Sequence, residues 1–351
     1  MTIRSEPSAP RRRPHPAAVL AVACALVLLV GCAGNDHAGD DPGPTPGRRH
    51  VKVMLDWTPN TNHAGMYLAE ARGYYRKAGL DVTFLQPGQG SDPNQAVGAG
   101  TVDFGVSASE QLVPARAEGV PVVSIAAIIQ HNTSSLVSLA SSGITRPRDL
   151  AGHTYGAYGA TFEKALIDTL VSCDGGDPSK VRFTQVGDSD YRQGLTSGHF
   201  DTVWVFDAWD VIRLRDIDGL HLDRISFADH LDCIPDWYTP IIVTSEDHIE
   251  HDPGLVGKFM TATAHGYRDA MASPRAAAAA LLAGAAGLDP DLVERSMDYL
   301  STRYAADPER WGHQDASVWN RFVAFLESHD IVESGFDVKN AYTNRFLPGS
   351  D

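Results

Sequence analysis

The feature that most constrains this chain is the stretch at residues 51–73, VKVMLDWTPNTNHAGMYLAEARG. Apolar residues alternate over residues 51–55 as in a buried strand, turn formers follow at residues 56–62, and apolar residues then recur at helical spacing. In open α/β sheets, ligands bind beyond the carboxyl ends of strands, near helix N-termini. Asp56 and Trp57 are therefore predicted to meet a ligand. The alternative is that Trp57 belongs to the core and Asp56 caps the helix.

The alternation of strand and helix continues along the chain. Further strands are predicted at residues 80–86, 103–107, 121–129, 154–158, 181–186, 202–206 and 238–245. Helices are predicted at residues 93–99, 110–118, 162–171 and 191–197, and most of the chain after residue 253 is predicted to be helical. This order indicates an α/β protein whose parallel sheets are covered by helices.

The strand–helix rhythm occurs twice, which predicts two Rossmann-like lobes. Residues 51–135 and 238–351 are expected to form the first lobe, and residues 150–230 form a second lobe inserted into it. The crossings between the lobes are expected near residues 130–150 and 230–240. A cleft between two lobes is the preferred location for a small ligand.

The N-terminal residues 1–31 are predicted to be a signal sequence. A run of three arginines precedes an apolar segment at residues 17–30, which is short for a membrane span. The small residues before Cys32 resemble the lipobox of bacterial lipoproteins, so Cys32 is predicted to be acylated. The alternative is an ordinary signal peptide with an incidental cysteine. Residues 32–50 are rich in Gly, Pro and Asp and are predicted to be a disordered tether. These features predict a protein anchored by lipid at the extracytoplasmic face of the cell membrane.

The chain is acidic, with a net charge of −15. Residues 1–31 contain four arginines and one glutamate, so the chain after them has 25 basic and 43 acidic residues and a net charge of −18. Such a surface argues against binding to nucleic acid. It places no restriction on a neutral small ligand.

Two cysteines, Cys173 and Cys233, remain after the signal and the lipidation position. A disulfide is allowed outside the membrane, but their separation gives no evidence that they meet, so two buried free thiols are expected. The absence of a CxxC motif argues against a structural zinc site. His63 and His131 have no partner at metal-ligand spacing, so no metal site is predicted.

Six segments resemble the NMT1/THI5-like (SsuA/THI5-like) family, and within it most of all the pyrimidine-binding lipoproteins of ABC importers for thiamine precursors. These segments are LDWTPNTNHAGMYLA at 55–69, DFGVSASEQ at 103–111, SIAAIIQHNTS at 124–134, TYGAYGATFEKALI at 154–167, DWYTPIIVTSE at 236–246 and AYTNRFLP at 341–348. The resemblance implies a periplasmic-binding-protein fold and a thiamine-precursor aminopyrimidine as ligand, of the formylaminopyrimidine or hydroxymethylpyrimidine type. It also implies an ABC permease with ATPase subunits as partner. We expect a monomer without a cofactor or enzymatic activity.

The same family includes the synthase that makes hydroxymethylpyrimidine phosphate from pyridoxal phosphate and histidine. The synthase lysine aligns with Ser107, its histidine aligns with Gln111, and its cysteine cluster aligns with residues 235–240, which contain no cysteine. A Schiff base requires an amine, so the synthase is the weaker alternative. Another alternative is a binding protein for a riboflavin precursor, a sulfonate or taurine. Sulfonates favour an arginine clamp, and the predicted cleft segments contain no arginine.

An aminopyrimidine requires aromatic side chains against its faces and a carboxylate at its amino edge. At the positions of the family motif, Tyr158 is predicted to stack on the ring and Glu163 to accept a hydrogen bond from the amine. The alternative for Glu163 is a solvated carboxylate in the first turn of a helix. Asp56 and Trp57 would close the site from the first lobe.

Other candidates follow the ends of predicted strands. Gln111 is predicted to line the floor of the cleft together with Glu110, which could equally be a surface residue. Asp207 and Trp209 lie beyond the strand at 202–206 and are predicted to reach the ligand, whereas Trp204 is expected in the core. Tyr238 lies at a predicted crossing, where hinge packing and ligand contact are both open.

Overall fold

The computed structural model describes residues 47–88, 91–186 and 190–349. The predicted signal sequence, Cys32 and the predicted tether up to residue 46 lie outside the described residues. The tether was predicted to extend to residue 50, but Arg49 and His50 already belong to the first strand.

The described residues form ten strands and eleven α-helices. The strands are β1 (Arg49–Met54), β2 (Leu80–Leu85), β3 (Phe104–Ser107), β4 (Val122–Ala127), β5 (Ser134–Leu139), β6 (Thr154–Ala157), β7 (Arg182–Gln185), β8 (Thr202–Phe206), β9 (Leu222–Ser226) and β10 (Ile241–Ser245). The helices are α1 (Ala64–Ala71), α2 (Tyr74–Lys77), α3 (Pro93–Gly98), α4 (Ser109–Ala117), α5 (Thr161–Cys173), α6 (Tyr191–Ser197), α7 (Glu246–His251), α8 (Pro253–Ala272), α9 (Pro274–Gly284), α10 (Pro290–Leu300) and α11 (Ala316–Ser328). The predicted α/β class is confirmed.

The first sheet has the strand order β2-β1-β3-β10-β4. β1 is parallel to β2 and β3, as the strand–helix rhythm predicts. β10 is antiparallel to both β3 and β4, so the expectation of a wholly parallel sheet was wrong. The physical reason is the path of the chain: β10 enters this sheet from the second one and not through a crossover helix, so the handed βαβ connection does not apply.

The second sheet has the strand order β7-β6-β8-β5-β9. β6 is parallel to β7 and β8, whereas β5 is antiparallel to β8 and β9. β5 and β9 were not predicted. Because β5 begins at Ser134, the crossings run over residues 128–133 and 227–240, and residues 134–139 of the segment predicted as the first crossing belong to the second sheet.

A close approach of α1 and α8 fixes the start of α1 against the first sheet. A Cβ atom on Gly65 would lie 2.3 Å from the ring of Tyr267, and one on Gly266 would lie 2.1 Å from the carbonyl oxygen of Gly65. The hydroxyl of Tyr267 donates a 2.6 Å hydrogen bond to the carbonyl of Asn62. These contacts hold the turn at residues 56–62 at the carboxyl end of β1.

The C-terminal helix α11 packs against α5 and the second crossing, although it was predicted within the first lobe. The ring of Phe322 lies 6.0 Å from that of Phe162 in α5 and 5.8 Å from that of Trp237 in the second crossing. None of the helices in the described ranges is both long and apolar enough to cross a membrane.

Cys173 and Cys233 form a disulfide, so the expectation of two buried free thiols was wrong. Cys173 is exposed and Cys233 is partly exposed. The fold brings their Cα atoms to 5.9 Å although they are 60 residues apart, a proximity that sequence separation alone cannot reveal. The bond ties the end of α5 to the second crossing.

Candidate functional site

A cleft of about 930 Å³ lies between the two sheets, beside the carboxyl ends of β1, β3 and β8. This volume suits a small organic ligand. The first sheet contributes residues within 56–62 and 107–111, and the second contributes residues within 158–163 and 204–214. Further lining residues come from 190–192 and from the start of α10 with the residues before it, at 286–292.

Asp56 lines the cleft and is held in place by a buried histidine. The backbone N–H of Asn60 donates to Nδ1 of His63 at 3.1 Å, so this nitrogen carries no proton. Nε2 of His63 therefore carries the proton and donates to Oδ1 of Asp56 at 2.7 Å. Because the side chain of His63 is fully buried and Asp56 is partly exposed, the pair presents an oriented carboxylate to the cleft.

Two large aromatic side chains line the cleft from opposite sheets and remain exposed. Trp57 is 44 % exposed and follows β1, whereas Tyr158 is 41 % exposed and follows β6. This exposure contradicts the alternative in which Trp57 belongs to the core. The hydroxyl of Tyr158 donates to the carbonyl of Trp204 at 3.0 Å and also contacts the hydroxyl of Tyr191. These contacts fix the ring of Tyr158 from behind.

Glu163 also borders the cleft, but its carboxylate is already bound by the protein. It is 1 % exposed and accepts hydrogen bonds from the hydroxyl of Tyr155 at 2.8 Å and from the backbone N–H groups of Tyr158, Gly159 and Ala160 at 3.2, 2.9 and 3.0 Å. A ligand amine would have to displace one of these four donors. Glu163 therefore orders the loop that carries Tyr158, and it is not the solvated carboxylate of the alternative.

Glu110 lies in the first turn of α4 and borders the cleft. Its Oε2 is buried and has no hydrogen-bond partner among the described residues. Burial raises the pKa of Glu110 to about 8, and the negative charge of Asp56 adds to this effect. The buried carboxyl oxygen contradicts the alternative in which Glu110 is a surface residue.

Asp210, Arg192 and Arg213 line the cleft and were missed. Asp210 is in a π-helical turn, Asp207–Val211, directly after β8, and its Oδ2 accepts from the N–H of Phe206 at 3.0 Å. Burial raises the pKa of Asp210 to about 7. The position after a strand could have identified Asp210. Arg192 and Arg213 contradict the expectation that the cleft contains no arginine.

The remaining predicted residues divide into two groups. Gln111 and Trp209 line the cleft, and so does the largely buried Trp204. Asp207 and Tyr238 do not line it.

Asp207 is buried in an ion pair with Arg224, and the hydroxyl of Tyr299 donates to it at 3.3 Å. Tyr238 is buried in the second crossing, where its hydroxyl accepts from the N–H of Asp315 at 2.7 Å. Both residues therefore connect segments of the chain outside the cleft, and for Tyr238 this corresponds to hinge packing.

The two histidines considered as metal ligands are paired with acids. His63 binds Asp56, and Nδ1 of His131 lies 2.7 Å from Oδ2 of Asp236, so that the pair joins the two crossings. Within the described ranges, one cluster has three groups of metal-ligand type, and it consists of Asp232 and the two disulfide-bonded cysteines. A disulfide offers no thiolate, so this cluster does not form a thiolate site.

Comparison with known proteins gives one matching family model, described as NMT1/THI5 like, over residues 60–277. The chain is 25 % identical over 333 residues to the formylaminopyrimidine-binding protein of Halalkalibacterium halodurans, which covers 93 % of this chain and 98 % of that protein. It is 29 % identical over 314 residues to the 4-amino-5-hydroxymethyl-2-methylpyrimidine phosphate synthase of Legionella pneumophila, which covers 86 % of this chain and 93 % of that protein.

The fold is similar to that of solved solute-binding proteins. The periplasmic aliphatic sulphonate binding protein SsuA of Escherichia coli superposes with a TM-score of 0.60 at 15 % identity, covering 84 % of this chain and 92 % of that chain. At this identity the likeness shows the fold alone. The predicted periplasmic-binding-protein architecture is confirmed.

Proposed function

Because the chain belongs to the NMT1/THI5-like family, we propose that it is a solute-binding protein that captures a thiamine-precursor aminopyrimidine for an ABC importer. The ligand is of the formylaminopyrimidine or hydroxymethylpyrimidine type. The relative from Halalkalibacterium halodurans, whose name states formylaminopyrimidine binding, supports this choice because the match covers nearly all of both chains.

The observation that carries the proposal is the pair of exposed aromatic rings, Trp57 and Tyr158, on opposite walls of the cleft. Because an aromatic ring is apolar, removing its face from water when a flat ligand stacks on it costs little free energy. The stacked pair gains both apolar burial and favourable ring geometry. One ring from each sheet can enclose both faces of a pyrimidine. The acids Asp56 and Glu110 lie along the same cleft and supply polar partners for its edge.

Capture proceeds by closure of the two lobes about the crossings at residues 128–133 and 227–240. The ligand itself completes the contacts between the lobes, which favours the closed form. The closed protein then docks as a monomer on a permease with cytosolic ATPase subunits. Binding needs neither a cofactor nor a metal.

The protein is anchored at the extracytoplasmic face of the cell membrane through an acylated Cys32. The sequence before Cys32 supports this part of the proposal. Expression with labelled palmitate tests it, because the wild-type chain should incorporate the label and the variant Cys32→Ala should not. Equal labelling of the two proteins would remove the lipid anchor from the proposal.

The synthase named among the relatives is the competing function. The position that aligns with its lysine is Ser107, which borders the cleft, and no lysine is among the described residues that line it. A Schiff base with pyridoxal phosphate requires an amine. The chemistry of the lining residues therefore favours binding over catalysis.

A thermal-unfolding scan of the purified protein separates these functions. The aminopyrimidine, riboflavin, taurine and pyridoxal phosphate are added separately, since a ligand at a hundred times its Kd stabilises a protein by roughly 2.7 kcal/mol. Stabilisation by the aminopyrimidine alone is the expected result. Stabilisation by pyridoxal phosphate with an aldimine absorbance would replace the proposal with the synthase. A shift with taurine alone would favour a sulfonate ligand held by Arg192 and Arg213.

A further inference from the structure

Three polar atoms beside the cleft lack hydrogen-bond partners in the described part of the chain. They are Oγ of Ser107, Oε2 of Glu110 and Nε1 of Trp204. Ser107 ends β3 and Glu110 lies in the first turn of the helix that follows it, so both belong to one strand-to-helix connection. Buried polar atoms without partners are rare in folded proteins and cost free energy, so three of them along one cleft indicate a place where a ligand supplies the missing partners.

We propose that Glu110 selects the ligand by pairing its carboxyl group with the amino group and the adjacent ring nitrogen of a neutral aminopyrimidine. This inference rests on the proposed function and names the residue that determines specificity within it. One carboxyl oxygen accepts a hydrogen bond from the exocyclic amine, and the O–H of the other oxygen donates to the ring nitrogen. The two bonds are parallel, and no charge has to be buried.

The environment of Glu110 favours the protonated form that this pairing needs. Burial raises its pKa to about 8, although the nearby donor groups of Thr239 and Trp237 act in the opposite direction. The acid therefore carries its proton at neutral pH. A protonated carboxyl group is both a donor and an acceptor, whereas a carboxylate only accepts. The edge of a neutral 4-aminopyrimidine, with its N–H donor beside a nitrogen acceptor, matches the protonated form.

The other acids near Glu110 do not compete for its carboxyl group. Asp56 faces the same cleft from the end of β1, and its negative charge further favours the neutral form of Glu110. Glu163 faces the cleft from α5, but its oxygens are occupied by four donors of the protein. Asp92 and Glu118 border a smaller pocket of about 200 Å³ that Glu110 also lines.

The other charged or titratable groups line the cleft from other elements. Arg192 follows Asp190 and Tyr191 at the start of α6, Asp210 and Arg213 follow β8, Tyr158 follows β6, and Asp289 caps α10. Asp190 and Asp289 accept hydrogen bonds from backbone N–H groups of the helices that they precede. The charge of Asp56 raises the pKa of Glu110 further.

The pairing predicts a pH dependence of binding with a definite sign. Well below pH 8, Glu110 is protonated and itself adds no pH dependence to the affinity for the neutral aminopyrimidine. As the pH rises through about 8, free Glu110 loses the proton that the ring nitrogen requires, so the affinity falls. An ionised carboxylate that acted only as an acceptor would give the opposite trend.

The test is calorimetric titration of the purified protein with 4-amino-5-hydroxymethyl-2-methylpyrimidine between pH 6 and 9. The variants are Glu110→Gln, Glu110→Ala and the matched control Glu118→Gln, which changes an acid of the adjoining pocket only. Glutamine keeps one donor and one acceptor, so E110Q should bind within about threefold of wild type and lose the fall above pH 8. E110A should bind roughly tenfold to a hundredfold more weakly. E118Q should match wild type.

Two results would overturn the inference while leaving the proposed function intact. One is wild-type affinity in E110A, and the other is equal loss in E110Q and E110A, which would indicate a charged carboxylate. Failure of the wild-type protein to bind any aminopyrimidine would instead overturn the proposed function. A thermal-unfolding scan of each variant without ligand separates loss of binding from loss of folding.

Discussion

Oδ1 of Asp56 accepts a 2.7 Å hydrogen bond from Nε2 of the fully buried His63, at the point where β1 gives way to α1. Because Nδ1 of His63 is occupied by the backbone N–H of Asn60, the imidazole has one orientation and one tautomer. The carboxylate at the cleft is thus positioned before any ligand arrives. Such positioning lowers the entropic cost of binding.

Substitutions at Asp56 should separate its structural role from its role in binding. Asp56→Asn keeps an oxygen for the N–H of His63 but loses the charge, so it should fold normally and bind the aminopyrimidine about tenfold more weakly. Asp56→Ala leaves a buried N–H without a partner and should lower the free energy of unfolding by about 1–3 kcal/mol. Urea unfolding and calorimetric titration measure the two effects. Equal destabilisation by both variants would contradict this division.

The ring of Trp57 should contribute to ligand affinity but not to the stability of the fold. Trp57→Ala removes an exposed stacking surface and should weaken ligand binding about tenfold, whereas Trp57→Phe should retain part of the affinity. The melting temperature without ligand should hardly change, because the side chain is 44 % exposed. Leu231→Ala is a matched control, since Leu231 is also exposed but lies outside the cleft. Unchanged affinity in Trp57→Ala would remove this ring from the site.

Glu163 should matter for stability because four donors converge on its carboxylate. In Glu163→Gln an amide NH2 would face backbone N–H groups, so at least one buried donor would lose its acceptor. We expect a decrease of about 1–3 kcal/mol in the free energy of unfolding. Lys164→Ala, at the exposed neighbouring position, should change it by less than about 0.5 kcal/mol. Chemical denaturation compares them, and equal midpoints would refute the prediction.

The pair of His131 and Asp236 predicts a pH dependence of stability. The hydrogen bond to Asp236 raises the pKa of His131. Since the folded protein binds this proton more tightly than the unfolded chain, the stabilisation is fully present below the unfolded pKa of about 6.5. It is lost as the pH rises through the raised folded value. The stability difference between wild type and His131→Gln should therefore be larger at pH 5.5 than at pH 8.5.

A double-mutant comparison provides the control for this pH effect. In a background of Asp236→Asn, the substitution His131→Gln should cost the same at both pH values, because the acidic partner is gone. A pH-dependent difference that persists in this background would show that another group acts on His131.

Loss of the disulfide should destabilise the protein substantially. Cys173 and Cys233 close a loop of 60 residues, for which the chain-entropy relation gives about 4 kcal/mol. The double variant Cys173→Ser/Cys233→Ser should show this decrease in urea unfolding. A reductant should lower the midpoint of the wild-type protein and have no effect on the double variant. An unchanged wild-type midpoint under reducing conditions would contradict the prediction.

The local elements of the fold could be predicted from the sequence because each is encoded by a short pattern. The alternation at residues 51–55 and the turn formers after it placed β1, the turn and α1 closely. The strands β5 and β9 were not predicted because their sequences, SSLVSL and LDRIS, are too polar or too charged to indicate a strand. Their strand conformation comes from pairing with each other and with β8.

The site could be predicted only in part, because its chemistry depends on which side chains face each other across the lobes. Position after a strand was enough to select Asp56 and Trp57, and the family motif selected Tyr158. It could not tell that Glu163 would be enclosed by backbone donors, because helix first-turn glutamates have the same local sequence whether buried or solvated. Arg192 likewise looks like a helix surface residue until the fold sets its helix beside the cleft.

The strand β10 lies between β3 and β4, although more than a hundred residues separate it from either one in the sequence. Until residues 241–245 have been synthesised, β3 and β4 therefore lack their shared neighbour, whereas the whole second sheet, residues 134–226, is already complete. As the chain emerges, the inserted lobe can therefore finish before the lobe that begins the chain. The order of completion is thus the reverse of the order of emergence. A chain stopped before β10 would carry an open sheet edge at β3 and an unpaired strand β4, both of which invite aggregation.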